Sequence, residues 1–278
     1  MKDLQNRVVL ITGATDGMGR LTARRIAARG ATVLLHGRDR KKGLEVMAQI
    51  RDEARSTDVR YYNADLSSLE EVGAMADDIT AREKVLHVLI NNAGIGGGPR
   101  GGKTRELSRD GYELRFAVNY LSHFLLTYRL LPIVTASAPS RIINVSSIGQ
   151  HPIDFNDVML EQRYDSYRAY TQSKLAQIMF TVDLAAALKG TGVVVNCLHP
   201  ATLMNTNMVH EFFGRTMTRV EDGAEALEYV ALSEETAGVT GAYFDGTRLS
   251  KGGAQAYDPA ARRRLRDLSL QLTGASLS

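Results

Sequence analysis

Short apolar runs alternate with longer amphipathic segments along most of this chain. The short runs are rich in β-branched residues and predict strands at Val8–Thr12, Thr32–His36, Val59–Tyr62, Val85–Ile90, Arg141–Val145, Val193–Leu198 and Val239–Phe244. The longer segments predict helices at Met18–Arg29, Lys41–Arg55, Leu69–Arg82, Arg109–Thr135, Ser166–Lys189 and Val220–Leu232. The strand runs are continuously apolar, which is typical of strands covered on both faces. The alternation predicts one α/β domain over 1–278, a doubly wound parallel sheet of about seven strands.

Three irregular segments interrupt this alternation, and each of them follows a predicted strand. They place loops at 95–107, 148–166 and 201–219 on the edge of the sheet where the strands end. Open α/β sheets bind their ligands at that edge, and long loops there usually serve a function. We therefore expect these three loops to surround a substrate.

Composition and charge exclude several classes of protein. The chain has 278 residues, of which 44% are hydrophobic and 23% are charged, as is typical of a globular protein with a sizeable core. A net charge of +3 does not indicate a nucleic-acid partner. The basic run Arg262–Arg264 is interpreted as the solvated face of a last helix. The single Cys197 excludes an intramolecular disulfide and a cysteine metal cage, and we expect a buried, inert thiol and no metal site.

Membrane insertion and export leave recognisable patterns, and neither is present in this sequence. No apolar run approaches the ~18 residues that a membrane-spanning helix needs. The first residues, Met1–Gln5, do not have the pattern of a signal peptide. On this basis we expect a cytoplasmic protein without a membrane anchor.

A glycine-rich turn, Thr12–Gly19 (TGATDGMG), links the first predicted strand to the first predicted helix. Glycines at this spacing permit a tight turn, close approach of the backbone to a pyrophosphate and close helix–strand packing. The N–H groups at the start of the helix then face the anion. This context predicts a Rossmann-type dinucleotide site that includes Gly13, Thr15, Asp16, Gly17, Met18 and Gly19.

The second strand ends in His36-Gly37-Arg38-Asp39, a stretch that bears on which dinucleotide binds. An acidic residue here would bind the ribose 2′-hydroxyl, whereas Gly37 and Arg38 leave room and a cation for a 2′-phosphate. NADP(H) is therefore favoured over NAD(H), although Asp39 has two alternative roles, pairing with Arg38 or meeting the ribose. Asp65, followed by Leu66 after the third strand, is placed to reach the adenine ring.

Residues 97–104 (GGPRGGKT) match the P-loop pattern of nucleotide triphosphatases, which is a competing hypothesis. A working P-loop starts at a strand end and leads into a helix at its lysine. Here Asn91–Gly96 intervene after the strand, and no later strand ends in an aspartate for Mg²⁺. We interpret the segment as a glycine-rich loop beside a site.

Tyr170 and Lys174 are four residues apart in a predicted helix, so their side chains project from one face. A free phenol has a pKa near ~10, outside the range useful for proton transfer at neutral pH. A fixed positive charge beside it favours the phenolate and lowers that pKa. The spacing therefore indicates general acid–base chemistry. The alternative interpretation is a tyrosine and a lysine on the solvated face of a helix, without a catalytic role.

Together these motifs resemble the short-chain dehydrogenase/reductase family over nearly the whole chain. The order and spacing of the matching pieces are specific: Thr12–Gly19, Asn91–Gly94 (NNAG), Asn119, Ser146–Ser147 and Tyr170 with Lys174. Three further stretches are similar to the retinol dehydrogenase and WW-domain oxidoreductase branch: Asn119–Thr127 (NYLSHFLLT), Tyr170–Thr181 (YTQSKLAQIMFT) and Thr191–Pro200 (TGVVVNCLHP). The family has a Rossmann fold and transfers hydride between a nicotinamide and a carbonyl or alcohol.

The resemblance implies a catalytic tetrad of Asn119, Ser147, Tyr170 and Lys174. Tyr170 would pass the proton, and Ser147 would bond the substrate oxygen. Lys174 would hold the nicotinamide ribose and bias the tyrosine, while Asn119 would hold a water that links the lysine to solvent. It also implies cofactor contacts from residues at the strand ends, namely Asn91, Ala93, Gly94 and Pro200.

The residues expected to wall the substrate site are mostly apolar, which fits a hydrophobic aldehyde, ketone or alcohol. They are Ile148, Phe155, Tyr164, Tyr167, Leu203, Met204, Met208, Phe212 and Phe213. Alternatives are a polyketide or xenobiotic ketoreductase of the same fold, and a cofactor-sensing binding protein without catalysis. The chain departs from the family at Ala201, where glycine is usual, and in a longer segment between Ser147 and Tyr170. A homodimer or homotetramer stays open.

Overall fold

The fold is built on one mostly parallel sheet. The computed structural model describes residues 3–56, 58–97 and 104–276. Within these residues, the strands are β1 Val8–Ile11, β2 Thr32–Gly37, β3 Val59–Asn63, β4 Val88–Asn91, β5 Ser140–Val145, β6 Val193–His199, β7 Tyr243–Asp245 and β8 Arg248–Ser250. Their order across the sheet is β3-β2-β1-β4-β5-β6-β7-β8. All neighbours pair in parallel except β7 and β8. The order reverses between β1 and β4, which makes a crevice at their carboxyl ends.

Helices cover both faces of this sheet. The α-helices in the described residues are α1 Gly17–Ala27, α2 Arg40–Ala54, α3 Leu69–Arg82, α4 Leu114–Phe116, α5 Ser122–Ala136, α6 Ser166–Ala187, α7 Asn207–Phe213, α8 Val220–Leu232 and α9 Pro259–Thr273. A π turn, Ala117–Leu121, joins α4 to α5 without a break. The expected doubly wound α/β fold is confirmed.

Two apolar layers explain why the strands are continuously apolar. In β1, Leu10 packs with the core beneath α3, α5 and α6, whereas Val9 and Ile11 pack with the core beneath α1, α2 and α8. Side chains alternate between the faces of a strand, so a strand with two covered faces needs an apolar residue at every position.

The helix predicted to begin at Arg109 in fact begins at Leu114, so this prediction was wrong at its start. The Ser108 hydroxyl accepts hydrogen bonds from the N–H groups of Asp110 (3.2 Å) and Tyr112 (3.2 Å). Gly111 has φ +84°, which closes this tight turn. Local side-chain hydrogen bonds of this kind compete with a helix.

The last predicted strand, Val239–Phe244, shrinks to Tyr243–Asp245 because Asn196 intervenes. Its side chain donates to the Val239 carbonyl (2.6 Å) and accepts from the Ala242 N–H (3.0 Å). These contacts replace the first bonds of a sheet ladder, and the sequence pattern does not reveal them.

The basic run near the C-terminus lies on α9, as expected, but it is only partly solvated. Arg262 and Arg266 pair with Asp183 of α6 at 4.0 and 3.3 Å. Deeper in the same interface, the hydroxyls of Ser269 and Tyr120 are 2.7 Å apart and both are buried. Helix α9 is thereby fixed to α6 and to the π turn.

Candidate active site

The glycine turn is built so that its backbone stays bare. An ideal Cβ at Gly13, which has φ +65°, would lie 2.8 Å from the Ala93 Cα. A Cβ at Gly19 would overlap the Gly13 carbonyl oxygen and lie 2.6 Å from Nδ2 of Asn92. Gly17 has φ +50° and begins α1. The bare backbone at the start of a helix is the cradle that a pyrophosphate needs, so these residues fit a dinucleotide.

Two buried histidines hold this turn from either side. His36 Nδ1 accepts from the Gly13 N–H (3.2 Å), and its Nε2 donates to the Ala64 carbonyl (3.1 Å). His123 Nδ1 donates to the Asn119 carbonyl (3.1 Å), so its Nε2 can accept from the Thr12 hydroxyl (3.1 Å). A carbonyl only accepts, so these contacts fix each neutral tautomer.

Thr12 connects the turn to the next strand end. Its hydroxyl oxygen accepts from the N–H groups of Asn92 (2.8 Å) and Ala93 (2.9 Å). The Asn92 side chain in turn donates to the Thr12 carbonyl (2.7 Å). The two segments predicted to bind cofactor, Thr12–Gly19 and Asn91–Gly94, are therefore one hydrogen-bonded unit.

At the end of β2 the structure shows which contacts Asp39 makes, a question that the sequence left open. Asp39 caps α2 by accepting from the Lys42 N–H at 3.0 Å, so this carboxylate oxygen is used within the protein. A Cβ at Gly37 would lie 2.5 Å from the Thr15 methyl group, which is why this position suits glycine. Arg38 is exposed.

Lys42 pairs with Asp16 at 3.0 Å. Burial raises the Asp16 pKa, but Lys42 and the Gly17 N–H together lower it below its ordinary value.

Residues expected at the adenosine end divide into exposed and internal groups. Asp65 is partly exposed at the sheet edge, where it accepts from the Ser67 N–H (2.9 Å). The Asn91 side chain is fully buried and donates to Thr127 (3.0 Å), and the Leu66 side chain lies in the core. For these last two, contact with a ligand would come from the backbone. Pro200 lies buried just past β6.

Tyr170 and Lys174 lie on the buried face of α6, one turn apart. The Lys174 Nζ is 5.8 Å from the centroid of the Tyr170 ring. Burial raises the pKa of Tyr170 above its ordinary value, and a hydrogen bond with Ser147 opposes this. Burial also lowers the pKa of Lys174 to about 7. The expected lowering of the tyrosine pKa is therefore outweighed, because the phenol loses its hydration and the ammonium is only partly charged near neutrality.

The structure distinguishes the two adjacent serines. Ser146 is buried, and its hydroxyl donates to the Lys174 carbonyl (2.7 Å), which ties β5 to α6. Ser147 is half-buried, faces Tyr170 and accepts from the Gly149 N–H (3.1 Å). Of these two serines, Ser147 is therefore the one that lies beside Tyr170.

Asn119 lies in the π turn and is fully buried. Its amide oxygen accepts from the Ile95 N–H (2.8 Å), and its amide nitrogen donates to the Ile95 carbonyl (3.1 Å) and to Ser173 (2.9 Å). The side chain therefore fixes the loop after β4 against α6. Insertions of this kind in a helix often occur at functional sites.

The expected substrate walls do not all lie near the tyrosine. The Phe212 ring is 5.6 Å from the Tyr170 ring and 6.2 Å from that of Tyr167. Phe155 instead contacts the Arg264 guanidinium of α9 (4.8 Å), and Met204 lies against Gly223 of α8. These two residues pack the loops against the domain. The P-loop match falls largely on residues 98–103, outside the described residues, as does the side chain of Phe213.

Other sequence-based expectations concern metals, thiols and membranes. Among the described residues, no cluster of His, Cys, Asp and Glu could hold a metal ion. Cys197 is a free, buried cysteine, and burial raises the pKa of its thiol to about 12. None of the helices in the described part of the chain has the length and apolar character that crossing a membrane requires.

The two histidines beside the glycine turn should make the fold sensitive to acid. Burial lowers the pKa of His36 to about 4 and that of His123 to about 3, from 6.5. Below pH 6.5 these histidines bind protons in the unfolded chain but stay neutral in the folded protein. The free energy of unfolding therefore falls as pH falls toward 4. We expect the free energy of unfolding, measured in urea, to fall by roughly 2 kcal/mol per histidine between pH 7.5 and 5. A His36→Gln variant should show a smaller loss, and equal stability of the unmutated protein at both values would contradict the prediction.

Sequence reasoning missed several residues that support the site, namely His36, His123, Ser173 and Gln177. Each of them is buried and polar, and three lie within predicted helices. A buried polar residue in an otherwise apolar stretch is a usable signal, because it must find a partner.

Comparisons with known proteins show the family and the fold. The family model for the short chain dehydrogenase matches residues 7–215. Human retinol dehydrogenase 11 is 40% identical over 98% of this chain and 87% of its own length. The crystal structure of an uncharacterized protein from Mycobacterium paratuberculosis is 31% identical with a TM-score of 0.82, over 100% of this chain and 97% of that one. A short chain dehydrogenase from Escherichia coli CFT073, complexed with NADPH, is 26% identical with a TM-score of 0.72, over 88% and 98%.

Proposed function

The chain belongs to the short-chain dehydrogenase family, and we propose that it is an NADP(H)-dependent oxidoreductase that interconverts a hydrophobic aldehyde or ketone and its alcohol. It is an oxidoreductase similar to retinol dehydrogenases. The observation that carries the proposal is the position of Tyr170 and Lys174, buried together at the sheet edge that also holds the glycine turn.

In the reducing direction, Tyr170 gives its hydroxyl proton to the substrate oxygen. The carbonyl carbon would accept the hydride that NADPH would supply when bound at the glycine turn. The raised pKa of Tyr170 keeps the phenol protonated at neutral pH, which suits an acid. Ser147 donates a hydrogen bond to the same oxygen, where negative charge develops. Oxidation of an alcohol reverses these steps.

Lys174 and Asn119 prepare this chemistry. Lys174 Nζ lies 3.5 Å from where a Cβ on Gly94 would be, so its ammonium reaches the strand end expected to hold the nicotinamide ribose. Asn119 fixes that strand end through Ile95, and we assign it the water that links the lysine to solvent. The remaining proposed cofactor contacts come from the glycine turn and from residues at the strand ends, namely Arg38, Asp65, Leu66, Asn91, Ala93, Gly94 and Pro200.

The walls near Tyr170 support an apolar substrate. Phe212 and Tyr167 contribute rings, and Ile148 is 59% exposed beside the catalytic serine. Apolar side chains in these positions favour hydrophobic carbonyl compounds.

A panel experiment tests the proposal. NADPH oxidation is followed with aldehydes, including retinal, and with ketones and quinones, each at several chain lengths or ring sizes. Turnover that rises with the apolar area of the substrate is expected. NADPH binding without turnover on any member would instead identify a cofactor-sensing binding protein, and preference for acidic or small polar carbonyls would contradict the substrate class.

The cofactor preference gives a separate prediction. We expect NADPH to bind at least about tenfold tighter than NADH, because Arg38 offers a charge-assisted hydrogen bond to the 2′-phosphate. Arg38→Ala should remove this difference, as measured by fluorescence titration with both cofactors. Lys189→Ala, which removes an exposed cation at the opposite edge of the sheet, is the control for net charge. Equal affinities in the unmutated protein would refute the preference.

A further inference from the structure

Gln177 touches the lysine of the proposed site directly. It lies three residues after Lys174 on α6, and its side-chain oxygen accepts from the Lys174 Nζ at 3.0 Å. The Val145 carbonyl accepts from the same ammonium at 2.9 Å. Both side chains are buried, with Gln177 1% exposed and Lys174 4% exposed. Two of the three N–H groups of the ammonium are therefore engaged, and the third can face the strand end at Gly94.

The orientation of the Gln177 amide is unusual for a buried residue. Among the described residues its Nε2 has no hydrogen-bond partner, although the atom is buried. An unpaired buried donor is destabilising, so packing alone does not explain a buried glutamine that is held only by its oxygen. The contact that the side chain does make is the one with Lys174.

The described residues around Lys174 offer little else to stabilise its charge. Among them, the titratable groups that face it are Tyr170 on α6, His123 on α5 and His199 on β6. Burial lowers the pKa of both histidines, so they are neutral at pH 7, and Tyr170 is protonated there. The oxygens of Gln177 and Val145 are thus the polar groups that favour the ammonium over the neutral amine.

We propose that Gln177 is a positioning residue, which holds the Lys174 ammonium beneath Tyr170 and increases the fraction of this side chain that is charged at neutral pH. The inference rests on the proposed function, since it assigns a role relative to that reaction. Gln177 acts through the lysine and needs no contact with substrate or cofactor.

The direct test is a pH titration of Lys174 by NMR in protein labelled with ¹³C at the lysine ε-carbons. The chain has eight lysines, and the Lys174 signal is assigned by its loss in Lys174→Met. Gln177→Met keeps the length of the side chain and removes the acceptor. It should lower the pKa of Lys174 by about one pH unit, so that the ammonium fraction at pH 8 falls about tenfold. Gln177→Glu should raise the pKa instead.

Gln172 supplies the matched control. It is also 1% exposed on α6 and also has an unpaired amide atom, but its Nε2 donates to the Val158 carbonyl (2.8 Å). Gln172→Met should leave the Lys174 titration unchanged, whatever it does to stability. An unchanged titration in both Gln177 variants, or the same change in Gln172→Met, would overturn the proposal.

Activity gives a second readout that separates this inference from the proposed function. In Gln177→Met the alkaline limb of kcat against pH should move to lower pH, and in Gln177→Glu to higher pH. Variants that shift the NMR titration in a protein inactive on every carbonyl would disprove the proposed function and leave the lysine contact standing. An active enzyme whose pH profile ignores Gln177 would disprove the positioning role alone.

Discussion

The Tyr170→Phe variant is expected to bind NADPH as tightly as the unmutated protein and to lose about a thousandfold in kcat. The substitution removes only the hydroxyl, so the ring keeps its edge contact with Phe212 (5.6 Å) and its place above Lys174. Without the hydroxyl, the substrate oxygen loses the proton donor that we assign to it and must take its proton from water. Stopped-flow turnover and cofactor titration on the same preparation measure the two quantities separately.

Tyr229→Phe serves as the control for loss of a phenol hydroxyl. Tyr229 lies on α8, where its hydroxyl donates to Glu235 at the surface (2.9 Å), and it has no role in the proposed chemistry. This variant should keep full turnover. Turnover retained in Tyr170→Phe would mean that the proton comes from another residue.

The Gly19→Ala variant is expected to weaken NADPH binding by about a hundredfold, which corresponds to about 2.7 kcal/mol. The added methyl group would overlap the Gly13 carbonyl oxygen and press on the Asn92 side chain. Neither can retreat freely, because Asn92 is bonded to the Thr12 carbonyl (2.7 Å). The turn must therefore open, and its N–H groups lose their alignment with a pyrophosphate.

Gly73→Ala is the matched control for this change. Gly73 lies within α3, and outside its chain neighbours and the backbone of its own helix no heavy atom of the described residues lies within 4 Å of the position of an added Cβ. This substitution should leave NADPH binding unchanged and stabilise the helix by about 0.5–1 kcal/mol. If Gly19→Ala bound NADPH as well as Gly73→Ala does, close approach of the backbone would not be the basis of the site.

The sheet could be predicted from the sequence because two covered faces leave a strong apolar pattern in each central strand. The glycine turn was predictable for a related reason, since its residues are constrained by local geometry. Helix ends and sheet margins depend on less regular contacts. The Asn196 side chain shortens β7, and the Ser108 turn delays the helix that begins at Leu114. Short α7 and edge strand β8 carry too few residues for a periodic pattern.

The candidate site was predictable in its residues and less so in its electrostatics. The spacing of Tyr170 and Lys174 correctly places them together, but spacing does not reveal how far each is removed from water. Burial lowers the pKa of Lys174 to about 7. Near neutral pH, a contact with a neutral oxygen such as that of Gln177 can therefore change how much of the lysine is charged. Such a contact depends on tertiary packing, which the linear sequence does not display.

The attachment of α9 to the π turn has a consequence for biosynthesis. The Ser269 hydroxyl supports Tyr120, the neighbour of Asn119, and it follows every proposed catalytic residue in chain order. A ribosome therefore releases the tetrad before it has made the segment that braces it. Competence for hydride transfer is therefore expected only after synthesis has passed α9.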